Sequence, residues 1–290
     1  MGTHVPVGKG LAEDGLARAH AIGAEVIQVF TGNPRGWAPP KANPAKDEAF
    51  REGCTAAGIR VVLHAPYLVN LGSPNAVTFE RSVGSVAANL RRAREIGAEA
   101  VVVHTGSCVD DGQYDAALGQ VRTGLLPLLD DLDADGPWLL LEPTAGQGRS
   151  LCATVADVEG YLEALDRHPR AGICLDTCHA FAAGEPLDGP GGTTDTVDRL
   201  VAVAGPGRLR LVHANDSKDG RGALKDRHER IGEGRIGLGA FEKLFAHPAL
   251  NGVPFVLETP GAREVGDAGL PLLRRLRQEA AARTVQGTST

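Results

Sequence analysis

The sequence predicts a single-domain α/β protein folded as a (β/α)8 TIM barrel, and three observations carry that prediction. Eight short apolar segments recur along the 290 residues. Stretches with helical spacing of apolar residues separate them, the alternation expected of repeated β-α units. Ionisable residues stand at the carboxyl ends of six consecutive segments. Barrels of this kind commonly run to about 250 residues as one domain. The expected domain is therefore residues 1–282, with a short flexible C-terminal tail over 283–290.

In chain order, the expected strands are THV (3–5), EVIQVFT (25–31), IRVVLHA (59–65), AVVVHTG (100–106), PWLLLE (137–142), AGICLD (171–176), RLRLVHA (208–214) and PFVLET (254–259). Their nearly continuous apolar character suits parallel strands covered on both faces. Helical periodicity covers 11–22, 75–96, 114–131, 155–165, 194–203 and 270–282. Gly23, Gly58 and Gly97 each sit just before a strand, where a left-handed residue can end a helix. No GxGxxG follows the first strand, which counts against an open doubly wound sheet. The final TVQGTST is small and polar and reads as a frayed end.

The 42% hydrophobic and 23% charged content suits a globular domain with a large core. No run of roughly 18 apolar residues offers a membrane span, and MGTHVPVGKG lacks the apolar stretch of a signal peptide. Cys54, Cys108, Cys152, Cys174 and Cys178 are odd in number and show no CxxC spacing. They point to small buried thiols in a reducing, cytoplasmic setting. Only Cys178, beside His179, stays open to a chemical role. The formal charge of −6 argues by itself against a nucleic-acid binder.

The strand ends carry the chemistry. The third to eighth strands end in His64, His104, Glu142, Asp176, His213 and Glu258. In a closed parallel barrel these ends share one mouth. Two loops add to them: DTCH supplies His179, and DRH supplies Asp226 and His228. Any one histidine at a strand end is more often structural; the joint placement is what points to metal. Five histidines and four carboxylates exceed the needs of one ion and suit three. Imidazole with carboxylate suits Zn2+, with manganese or iron as alternatives. Carboxylates that end apolar strands are costly to bury unpaired. No lysine or arginine shares those ends, so a cation is the simplest partner.

GTHVPVGKGL, HAPYLVNLGSP, LEPTAGQG, ICLDTCHAFAAG, HANDSK, DRHERIGEGRIG and LETP together resemble the signature blocks of the endonuclease IV family, the zinc-dependent apurinic/apyrimidinic endonucleases. The blocks run in order from the first strand to the last. The resemblance implies three zinc ions: one on His64 and His104, a second on Asp176, His213 and Glu258 with Glu142 bridging the two, and a third on His179, Asp226 and His228. All nine ligand positions keep the family residue. It further implies that Glu142 and Glu258 are catalytic, and that Arg35 in TGNPRGW and Tyr67 and Leu68 in HAPYL enter the duplex to flip the abasic nucleotide out.

The implied reaction is hydrolysis of the phosphodiester 5′ to an abasic site, leaving a 3′-hydroxyl and a 5′-deoxyribose phosphate, with removal of 3′ blocks by the same chemistry. The implied partner is double-stranded DNA with abasic sites or 3′ blocks, bound by a monomer with no membrane attachment. Gly36, Pro143, Ala223 and Leu224 depart from the family pattern and bear on the grip on DNA rather than on the metals. Three divalent ions would bring the charge from −6 to about zero, and Lys218, Arg221, Lys225, Arg227, Arg230 and Arg235 would give the mouth a basic rim. The rival reading is a metal-dependent sugar isomerase or epimerase on the same barrel. It needs residues like Glu142, Asp176, His213 and Glu258, but leaves the other five ligands without a task.

Overall fold

The computed structural model describes residues 1–261 and 268–287. Its strands are β1 (Gly2–His4), β2 (Val26–Val29), β3 (Arg60–His64), β4 (Ala100–His104), β5 (Trp138–Glu142), β6 (Ala171–Asp176), β7 (Leu209–His213), β8 (Asp216–Ser217), β9 (His228–Glu229) and β10 (Phe255–Leu257). Eight of them close a barrel in the order β1-β10-β7-β6-β5-β4-β3-β2. Every neighbouring pair in it is parallel. Strands β8 and β9 form a small antiparallel ladder above the mouth. Seven of the eight expected apolar segments contain a barrel strand, and the first, 3–5, overlaps β1 at Thr3 and His4.

Helices connect the strands around the outside. Gly23, Gly58 and Gly97 take the expected left-handed conformation, with φ of 63°, 65° and 71°. The first helix is irregular. Gly15 N donates to Gly10 O, five residues back, so the chain is wound wide over Leu11–Leu16 before the regular turns of Ala17–Ile22. Among the helices that periodicity did not single out are Pro44–Ala57, capped by Asn43, and Thr177–Ala183, capped by Asp176. The last helix, Gly269–Gly287, extends into the segment expected as the tail, over 283–287, and 288–290 lie outside the described residues. Leu270, Leu273, Leu276 and Ala280 dock one face of this helix in the core. Once that face is anchored, each further residue adds a hydrogen bond without a new nucleation cost.

Two apolar layers explain why the strands are apolar throughout. One large cluster lies between barrel and helices. A separate one fills the barrel: Val26, Val62, Ala100, Val102, Leu140, Cys174, Leu211 and Val256, closed below by Trp138. Successive strand residues point to opposite faces, so residue i+2 faces the same way as residue i. Two residues beyond members of this plug come Gln28, His64, His104, Glu142, Asp176, His213 and Glu258. His4 stands likewise beyond Gly2. The layer above the apolar plug is thus polar on all eight strands of the barrel.

Candidate metal centre

The nine ionisable residues expected at the mouth meet there. His64, His104 and Glu142 form one group, Glu142, Asp176, His213 and Glu258 a second, and His179, Asp226 and His228 a third, with ligand atoms in each within 4.8 Å of one another. Glu142 belongs to the first two. Its Oε2 lies 3.2 Å from His64 Nε2 and 3.5 Å from His104 Nε2. Its Oε1 lies 3.0 Å from His213 Nδ1 and 3.3 Å from His179 Nδ1. Asp176 reaches the third group, with Oδ2 3.6 Å from His228 Nε2. The side chain of Asp176 also caps the helix that carries His179, accepting from His179 N at 2.8 Å. One carboxylate therefore places the next ligand along the chain.

The hydrogen bonds aim the imidazoles. His64 Nδ1 donates to Ala65 O at 2.7 Å, so its Nε2 faces Glu142 Oε2 at 3.2 Å, and a proton or a metal ion must lie between those two atoms. His179 Nδ1 lies 3.2 Å from Pro143 O, which leaves Nε2 facing Asp226 Oδ2 at 3.3 Å. Only the carbonyl of residue 143 is used, so proline can serve there. Among the described residues, His228 Nε2 is buried and makes no well-directed hydrogen bond, although Asp226 Oδ1 is 3.1 Å away. An orphaned imidazole nitrogen beside carboxylates is the place for a cation. The donor set fits zinc-type ions held by nitrogen and oxygen.

The electrostatics express the same need for positive charge. Burial opposes ionisation of His179 and His213. For His179, Asp176, Asp226 and Glu142 outweigh it and hold the ring well above the ordinary histidine range. For His213, Cys174, Glu258 and Glu142 do the same. Burial likewise opposes charge on His228, but Asp176, Asp226 and Glu258 carry it up to about 9. Glu142 is pushed up by burial and pulled well below the carboxylate range by His213 and His104. Glu258 is brought to about 2, because His213 outweighs its burial. His104 is held down at about 4 by burial. Burial, with the neighbouring Asp176 charge, raises the Cys178 thiol to about 12, so it stays a protonated core thiol. All five cysteines are free and buried.

Sequence reasoning missed the residues that hold the ligands. Asn215 Nδ2 donates to Asp176 Oδ2 at 2.7 Å, and its carbonyl accepts from Glu258 N at 2.9 Å. Asp216 is fully buried, with no basic partner among the described residues. Its carboxylate accepts from the backbone N–H groups of Ser217, Gly232, Gly234, Ile236 and Gly237 at 2.8–3.4 Å. A Cβ at Gly234 would collide with that carboxylate, which explains the glycine there. The GEGRIG loop is thereby wrapped around Asp216, and the β8–β9 ladder sets His228 beside the mouth. Gln28 and His4 complete the polar ring. HANDSK held the signal for Asn215 and Asp216, and GTHVPVGKGL that for His4; nothing marked Gln28 until the barrel closed.

The expected DNA-contact residues gather on one side of the rim. Tyr67 is 47% exposed and Leu68 36%. The Tyr67 ring stands 5.6 Å from that of His64 and 5.8 Å from that of His104. Tyr67 N donates to Pro34 O at 2.9 Å, which ties its loop to the one bearing exposed Arg35. Gly36 turns back to Asn33, donating from N to O at 3.1 Å. Leu224 is 49% exposed with φ of 53° and lies over Gly146. The basic rim is weaker than the sequence suggested. Arg227 pairs with Asp219 and Arg221 with Asp188, while Lys218, Lys225, Arg230 and Arg235 have no carboxylate partner among the described residues. No helix among these residues is long and apolar enough to cross a membrane.

Residues 16–282 match the family described as xylose isomerase-like TIM barrel. The chain is 56% identical over 278 residues to a probable endonuclease 4 of Streptomyces coelicolor, covering 96% of this chain and 95% of that protein. A probable endonuclease 4 of Methanoculleus marisnigri is 37% identical, covering 93% and 95%. The crystal structure of endonuclease IV from Thermus thermophilus superposes with a TM-score of 0.84 at 35% identity, covering 96% of this chain and 98% of that one. An L-ribulose 3-epimerase structure reaches a TM-score of 0.71 at 15% identity, which is a likeness of fold alone.

Proposed function

The chain belongs to the endonuclease IV family, and we propose that it is a metal-dependent DNA-repair hydrolase that cuts the backbone 5′ to abasic sites using three zinc ions. The observation that carries the reading is the sharing of Glu142: its two oxygens face different histidine groups, and a further histidine–aspartate group adjoins them. His64 and His104 would hold one ion, Asp176, His213 and Glu258 a second with Glu142 between the two, and His179, Asp226 and His228 a third.

When bound, the ions supply charge screening of the phosphate, a water acidified toward neutrality and stabilisation of the leaving oxygen. The protein supplies position. Glu142 and Glu258 place carboxylates on either side of His213 Nδ1, at 3.0 and 3.4 Å. Arg35, Tyr67 and Leu68 engage the duplex and help take the abasic nucleotide out of the stack. Lys218, Lys225, Arg230 and Arg235 contact phosphates, which contributes affinity without sequence preference. The product ends are a 3′-hydroxyl and a 5′-deoxyribose phosphate, and 3′-blocked ends are substrates of the same site. The enzyme works inside the cell as a monomer, where its five free thiols stay reduced.

Elemental analysis of the purified protein, beside an assay on a duplex with one abasic analogue, tests the reading. The expected result is about three zinc ions per chain, cleavage lost in chelator and cleavage restored by zinc. One ion per chain with no cleavage would replace it with a sugar isomerase.

A further inference from the structure

Gln28 belongs to none of the three ligand groups, yet it is fully buried in the same polar layer. Every polar atom of its carboxamide has a partner. Its Oε1 lies 2.7 Å from His213 Nε2, and its Nε2 lies 2.6 Å from Glu258 Oε1 and 3.2 Å from His4 Nδ1. The orientation of the amide is decided by chemistry. Turned over, its oxygen would face the Glu258 carboxylate, acceptor against acceptor. With the amide as it stands, His213 Nε2 must donate to it. In the neutral ring that a metal requires, Nδ1 then carries the lone pair, directed among Glu142 Oε1, Glu258 Oε2 and Asp176 Oδ2 at 3.0, 3.4 and 3.8 Å. The N–H given to Glu258 Oε1 meanwhile turns Oε2 toward that point.

We propose that Gln28 is a positioning residue of the metal centre: one carboxamide selects the metal-binding tautomer of His213 and sets the rotation of the Glu258 carboxylate, so two ligands of one ion depend on it. The role rests on the metal-centre reading above. A partner on the far nitrogen of a ligating imidazole sets its tautomer and raises its basicity, and loss of such a partner typically costs about 10–100-fold in metal affinity.

Two variants test this. Gln28→Met keeps the length and removes both polar functions. Gln28→Asn keeps the amide but is one methylene too short to reach both partners. Zinc affinity is measured by chelator competition on the metal-loaded protein, with the thermal midpoint of the chelated protein as the control for folding. The expected result for both variants is one ion of the set bound at least about 10-fold more weakly, with the chelated midpoint lowered by less than about 5 °C. At saturating zinc, kcat for an abasic duplex falls while KM is unchanged, because Gln28 lies below the rim that meets DNA. Unchanged affinity for every ion in either folded variant overturns the proposal, and so does a lowered chelated midpoint with intact affinity, which marks a merely structural glutamine. Wild-type protein that binds no zinc removes this role and the metal-centre reading together. Wild-type protein that binds zinc but leaves abasic duplexes uncut counts against the proposed reaction and leaves the role of Gln28 standing.

Discussion

The Oε1 atom of Glu142 lies 3.0 Å from Nδ1 of His213, while the other oxygen of the same carboxylate faces His64 and His104. A neutral amide at this position would keep the shape and lose the charge shared between two sites. Glu142→Gln is expected to lower kcat on an abasic duplex by about 100-fold or more, with DNA binding retained. Steady-state kinetics alongside metal analysis checks this. Near-normal turnover with all ions still bound would remove Glu142 from the mechanism.

Tyr67 projects from the rim close to the His64–His104 pair. Stacking of an aromatic side chain on a base is worth about 1–3 kcal/mol. Tyr67→Ala is therefore expected to weaken binding of an abasic duplex by about 5- to 150-fold, while hydrolysis of a small phosphodiester changes far less. Equal losses on the two substrates would make Tyr67 a packing residue.

Asp216 gathers five backbone N–H groups around one buried carboxylate. Asp216→Ala would leave those donors without their acceptor, at a cost of about 3 kcal/mol or more. The expected outcome is a lower urea midpoint in chelator. The site built on Asp226 and His228 should also lose metal, because β8 pairs with β9. A variant with the wild-type midpoint would show that the loop is held by other contacts.

Glu25 links the start of β2 to the last helix, accepting two hydrogen bonds from the Arg277 guanidinium at 2.9 Å. Arg277, together with the Met1 amino group 2.6 Å from Oε2, outweighs partial burial and brings Glu25 from 4.5 to about 2. A carboxylate with a depressed folded pKa stabilises the native state above its unfolded value, and the contribution disappears as pH falls through the folded value. Both side chains are about half exposed, so the gain is only about 0.2–1 kcal/mol. Glu25→Gln is expected to lower chelated stability by that amount at pH 7, and the gap to wild type should close between pH 4.5 and 2. A gap that persists at pH 2 would refute an ionic origin.

The barrel and most of its mouth were legible in the amino-acid order because both rest on local pattern. Apolar runs mark strands buried on two faces, and His64, His104, Glu142, Asp176, His213 and Glu258 break those runs at the end where a parallel barrel opens. His179 and the Asp226–His228 pair lie in short motifs close to such ends. What folding alone decided depends on neighbours distant in the chain. Gln28 is one polar residue in an apolar strand, and it acquires meaning only when β2 closes against the strands bearing His213 and Glu258. Asp216 looks like another surface acid until the glycine loop wraps around it. The amino-acid order shows acidic neighbours diluting the basic loop, but only the fold pairs Arg227 with Asp219 and Arg221 with Asp188. The final helix runs past the polar residues that seemed to end it, because its buried face is already docked. Periodicity records which face of a segment is covered, but hydrogen-bond partners and compensating charges exist only once separated segments are brought within a few ångströms.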